Sequence, residues 1–147
     1  MRRTFTQLMT VLIVVAVSMC FAATAVASDS VSVEVRVILA TTDGDDFDAE
    51  LEELRGQLER GFTDYSSFQL LDTQQRTVER QGSAEFSLPT DDTLTLTYHG
   101  RAGIFVKIGL EVGDRLSTTL RARTNRTFFQ AGLSHGDGIL VIAITLE

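Results

Sequence analysis

The chain has 147 residues, 44% of them hydrophobic, and a formal net charge of −7 at pH 7. That length suits one domain with its own core, and the negative sign excludes a protein that grips nucleic acid over its whole surface. A single cysteine excludes an intrachain disulfide, so stability must come from packing.

Arg2 and Arg3 precede an apolar run from Leu8 to Ala23, and Ala25-Val26-Ala27 supplies small residues at the positions a signal peptidase requires. The expectation is a secretory signal of bacterial type over residues 1–27, and a single small α+β domain over 28–147 in the periplasm or outside the cell. The uncharged stretch from Phe5 through Ser28 is also long enough to span the roughly 30 Å hydrocarbon core of a bilayer as a retained helix; the small-residue exit followed by Asp29 favours cleavage. Cys20 follows Val17, Ser18 and Met19, a poor match to a lipoprotein signal, and its lipidation would anchor an otherwise free protein. Cleavage after Ala27 removes two positive charges from −7, leaving a 120-residue acidic protein of charge −9.

Val31, Val33, Val35, Val37 and Leu39 alternate with Ser32, Glu34 and Arg36, the period of a strand with one wet face. After a short loop, Phe47, Leu51, Leu54, Leu58 and Phe62 step by three or four, which predicts an amphipathic helix over Asp46–Phe62. Asp45 or Asp46 is expected to cap it, with Asp48 and Glu50 complementing the positive end of its dipole. Ser67 to Leu71 reads as a second strand, and the strand-helix-strand order suits a right-handed parallel crossover. Thr73 to Gly82 is polar apart from Val78 and reads as an extended edge or a mobile loop.

Alternation returns at Ala84, Phe86 and Leu88, then at Leu94, Leu96 and Tyr98 after a turn at Pro89 to Asp92. His99-Gly100-Arg101 either turns the chain or continues the strand. Ile104, Val106, Ile108, Leu110 and Val112 define another strand, Gly113-Asp114 a hairpin turn, and Leu116 to Arg123 and Thr127 to Ala131 two more strands. Gly132 to Gly138 reads as a hairpin loop. Ile139 to Leu146 is apolar at nearly every position, which requires a strand covered on both faces. The fold expected is α+β: one amphipathic helix packed on a largely antiparallel, curled sheet of about seven or eight strands.

Several patterns point to chemistry. Asp43, Asp45, Asp46 and Asp48 form an acidic cluster, but the spacing fails a calcium loop, since Asp48 stands where glycine is needed and Leu54 where the last ligand is needed. His99 and His135, each beside glycine, leave a hydrolase built with nearby carboxylates as a remote reading. No Gly-x-Ser-x-Gly elbow and no phosphate-cradling Gly-Lys-Ser/Thr loop occurs. Ser28 to Asp64 is strongly acidic, whereas Arg101 to Arg126 holds six cations against Glu111 and Asp114. If Leu120 and Ala122 face inward, Arg115, Arg121 and Arg123 share one outer face, a stripe able to dock an anion or simply to resist edge pairing.

Arg121 to Leu133, with Thr127 and the Gly132-Leu133 pair, resembles a strand-turn-strand segment found near the pore-forming region of secretins, the outer-membrane gates of export machines. Thr124-Asn125 replaces that family's usual Asp-Gly turn, and Ala131 stands where a first glycine is common. The segment is a small part of a chain too short to build such a gate, and the resemblance implies only a place in the envelope.

The function expected is therefore that of an exported, non-enzymatic envelope protein, needing no metal or cofactor. It binds another protein or an anionic glycan or lipid through Arg115, Arg121 and Arg123 or through its acidic helix face, and is not an integral membrane protein after processing. The alternative is a periplasmic module holding a small apolar or anionic ligand between helix and sheet.

Overall fold

The computed structural model describes residues 29–147; the expected signal segment and Cys20 lie outside them. Eight strands form two four-stranded sheets, all of whose strand pairings are antiparallel. They are β1 (Ser30–Thr41), β2 (Ser67–Glu79), β3 (Ser83–Ser87), β4 (Thr93–Ala102), β5 (Phe105–Val112), β6 (Leu116–Arg123), β7 (Thr127–His135) and β8 (Gly138–Leu146). Strand order is β2-β1-β8-β7 in the first sheet and β3-β4-β5-β6 in the second. The expected single curled sheet is thus two sheets. The chain enters the first sheet, passes to the second after β2, meanders through it, and returns after β6.

Strand parity explains why the sheets stack. Val31, Val33, Val35 and Val37 of β1 and Leu140, Ile142, Ile144 and Leu146 of β8 pack in one buried cluster with Phe86, Leu94, Leu96, Tyr98, Val106, Ile108 and Leu110 of the second sheet. On the other face of the first sheet, Ile38, Ala40, Val141 and Ala143 form a second cluster with Leu51, Leu54 and Leu58. The expectation that β8 is dry on both faces holds: one face meets the second sheet and the other the helix.

The helix is shorter than its apolar period. A 3-10 turn at Ala49–Leu54 runs into α1 at Arg55–Gly61, 13 residues together, and Phe47 and Phe62 fall outside. Leu51 and Leu54, three apart, share a face under the tighter 3-10 winding, and Leu58 continues it. The N-cap is Asp48 rather than Asp45 or Asp46: its Oδ1 accepts from the Glu50 N–H at 3.1 Å and its Oδ2 from the Leu70 N–H at 3.3 Å. Phe47 instead bridges to Phe68, their rings 5.7 Å apart, with the Arg55 guanidinium 3.9 Å above the Phe47 ring. Phe62 meets Phe129 edge-on at 6.1 Å.

The parallel crossover is overturned, because β1 and β2 pair antiparallel from Ser30–Glu79 to Thr41–Ser67. The connection from Thr41 to Ser67 lays its helix across the outer face of the sheet and re-enters beside Thr41, where the Ser66 N–H donates to the Thr41 carbonyl at 3.0 Å. Thr73 to Glu79 belongs to β2, an edge strand, which accounts for its polarity.

Two other boundaries move. Ile104 lies in the β4–β5 turn, 52% exposed, instead of opening β5. The expected Gly132–Gly138 loop is mostly strand: β7 runs to His135 past a bulge between Ala131 and Leu133, and the turn is Gly136-Asp137. Gly132, at φ +121°, breaks the alternation without ending the ladder.

Helix burial sets a stability test. Leu54→Ala is expected to cost about 2–5 kcal/mol in urea denaturation. Glu53→Ala, which loses only an exposed ion pair to Arg36, is expected to cost about 1 kcal/mol or less.

Candidate functional site

Outward positions of the second sheet collect positive charge where β4, β5 and β6 run side by side. Lys107 of β5 pairs directly with Arg121 of β6, and Gly100 of β4 pairs with Lys107 on its other side. Directly opposed side chains sit about 4.5–5.5 Å apart at Cβ, so two cations there repel. Among the described residues neither Lys107 nor Arg121 has an ion-pair partner.

A third cation arrives from the β2–β3 turn. Gln81 takes φ +64°; its N–H donates to the Tyr98 carbonyl at 2.7 Å and its side-chain amide to the His99 carbonyl at 3.0 Å. The turn is thereby pinned to β4 where the register slips between Tyr98 and Gly100. Pinning lays the Arg80 guanidinium over Gly100, where an added Cβ would stand 3.4 Å from its Nε. Beside it His99 lies over Gly109, where a Cβ would come within 3.1 Å of Nε2. Two glycines on neighbouring strands thus make a floor on which a guanidinium and an imidazole rest. Arg80, His99, Arg101, Phe105, Lys107 and Arg121 line a hollow of about 260 Å³ above it.

The hollow is braced beneath. The buried Tyr98 hydroxyl donates to Asp29 Oδ1 at 2.5 Å, and Asp29 Oδ2 lies 3.6 Å from Arg80 Nη1. Asp29 stands at the start of β1 and Tyr98 on β4, so this bond ties the two sheets. Burial raises the Tyr98 phenol above its ordinary pKa, the Asp29 carboxylate raises it further, and Arg101 opposes them.

The three arginines singled out from sequence are distributed unevenly. Arg121 lines the hollow, and Arg123, two residues on along the same face, sits with Arg126 beside the half-buried Phe128. Arg115 lies at the far end of β6, about 20 Å away along the strand, with Nη1 3.6 Å from Asp92 Oδ2. It borders a cleft of about 270 Å³ between β6 and β7, lined by Val112, Leu116, Leu133 and Ile142. Sequence reading missed Arg80 and Lys107 as members of the patch; Lys107 was legible as an outward residue, but its facing Arg121 depended on register. His99 joins the patch, whereas His135 ends β7 in the other sheet. Among the described residues no group of three His, Cys, Asp or Glu side chains is placed to hold a metal ion, and of the acidic cluster Asp48 serves as helix cap. No helix among them is long and apolar enough to cross a membrane.

Comparison of the chain with protein-family models, with curated proteins and with solved structures gives no match in any of the three.

The Tyr98 bond has a pH signature. The folded state holds the phenolic proton more tightly than the unfolded chain, so above about pH 10 the unfolded state binds fewer protons and stability falls until the folded phenol titrates. Denaturation midpoints measured between about pH 9 and about pH 11 should decline more steeply for the native chain than for Tyr98→Phe.

Proposed function

We propose that this is an exported, non-enzymatic envelope protein whose basic patch binds an anionic component. The observation that carries the reading is the facing pair Lys107 and Arg121, with Arg80 laid over Gly100 alongside. Opposed like charges weaken a sheet, and a bound anion converts that repulsion into charge-assisted hydrogen bonds. The acidic N-terminal half supports an orienting role: Glu50, Glu52 and Glu59 line the exposed side of a helix packed on the first sheet, away from the patch. Export rests on the pattern of residues 1–27, and the non-enzymatic reading on the absence from the sequence of the nucleophile and phosphate-loop motifs.

A second reading, a small-ligand module, is favoured by the cleft between β6 and β7. Its apolar lining and Arg115 suit a small molecule with an anionic end. Such a ligand would sit between the two sheets rather than between helix and sheet, where Leu51, Leu54 and Leu58 fill the interface.

The first reading is tested with inorganic polyphosphate as a soluble probe. The double variant Lys107→Ser/Arg121→Ser should bind it about tenfold more weakly or worse, since a charge-assisted hydrogen bond contributes about 1.5–3 kcal/mol. Arg60→Ser on the helix should leave binding unchanged. Equal binding by the double variant and the native chain would end the anion-binding reading.

A further inference from the structure

The basic patch runs without a break into an exposed apolar tip. Ile104 is 52% and Phe105 44% exposed, and the one other large hydrophobic so exposed among the described residues is Leu71, at 37% on β2 of the other sheet. Gly103, at φ +61°, turns the chain so that both side chains stand at the end of the β4–β5 hairpin. Arg123 pairs directly across from Phe105, and Lys107 and Arg121 form the next outward pair behind it. The Thr124 N–H donates to the Ile104 carbonyl at 2.9 Å, which fixes the β6–β7 turn and its Arg126 beside the tip. Phe105 thus shares a hollow with the exposed Arg101, Lys107 and Arg121 and pairs with the exposed Arg123, so cations flank the apolar tip. Of the acids between Tyr98 and Phe128, Glu111 and Asp114 lie toward the opposite end of β5 and β6.

Building on the anion-binding reading, we propose that the anionic component is a lipid bilayer surface, with Ile104 and Phe105 entering the headgroup–acyl boundary and the flanking cations meeting lipid phosphates. A soluble anion would be served by the cations alone. An apolar tip flanked by cations matches the layering of an interface, polar and negative outside and hydrocarbon beneath. The tip belongs to a hydrogen-bonded hairpin, so the two side chains are presented without ordering a loop on contact. Charge segregation orients the approach, because the acidic helix covers the outer face of the opposite sheet.

The chain contains no tryptophan, so Phe105→Trp places a single indole reporter at the tip of the full-length protein, with Ile104→Trp as a second reporter should the first fail to fold. Partitioning of the apolar run Leu8–Ala23 into lipid would act on neutral and anionic vesicles alike, so the difference between the two vesicle types reads the tip and its cations. On mixing with vesicles of phosphatidylcholine and phosphatidylglycerol, the emission is expected to shift to the blue and to be quenched by brominated acyl chains. Vesicles of phosphatidylcholine alone should give neither effect, and raised salt should abolish both. Adding Arg121→Ser or Arg123→Ser should weaken vesicle affinity about fivefold for each cation removed. No blue shift on anionic vesicles while polyphosphate is still bound would overturn the bilayer inference and leave the anion-binding reading standing. An equal shift on neutral vesicles would also overturn it, because the cations would then select nothing; loss of polyphosphate binding as well would remove both readings together.

Discussion

The central pair of the first sheet, β1 and β8, has no wet face in the half that lies under the helix, and this constraint organises the molecule. Val33, Val35 and Val37 with Leu140, Ile142 and Ile144 need a cover on one side; Ile38 and Ala40 with Val141 and Ala143 need one on the other. A single sheet with one helix covers only one of these faces. The second sheet closes the other, and the helix lies in the connection between the antiparallel neighbours β1 and β2. Leaving either face open would expose several large apolar side chains to water, each worth about 1.5–3 kcal/mol when buried.

Much of the strand content was legible as alternation. β1, β6 and β8 fall within a residue or so of their expected bounds, and Leu94, Leu96, Tyr98, Val106, Ile108 and Leu110 point inward as their parity requires. How strands were shared between sheets was not legible, since a residue facing inward looks the same whichever layer lies opposite. The direction of β2 was not legible for a related reason: strand-helix-strand order fits an antiparallel return as well as a parallel crossover when loops flank the helix. Ile104 and Gly132 show the limit of periodicity, as one belongs to a turn and the other to a bulge.

The candidate site was legible in proportion to how local its geometry is. Arg121 and Arg123 share a face because they are two apart on one strand, which any strand guarantees. Lys107 opposite Arg121 depends on pairing register, Arg80 over Gly100 on a turn pinned from a third strand, and His99 over Gly109 on a slip in the ladder. Each step from parity to register to tertiary docking lowered what the residues alone disclosed. The glycines are the clearest retrospective signal: Gly100 and Gly109 interrupt two strands at neighbouring outward positions, where side chains otherwise strengthen a sheet.

The pairing of Val33 with Leu146, and the reciprocal bonds between Ser32 and Glu147 at 2.9 Å, join segments from opposite ends of the described chain. During synthesis the middle of the first sheet consequently stays vacant until nearly all of this sequence has emerged, whereas the β3–β6 meander can assemble from neighbours alone. Sequence-distant pairing of this kind slows folding. Completion of that sheet is therefore deferred to β8, which closes a gap held open between β1 and β7.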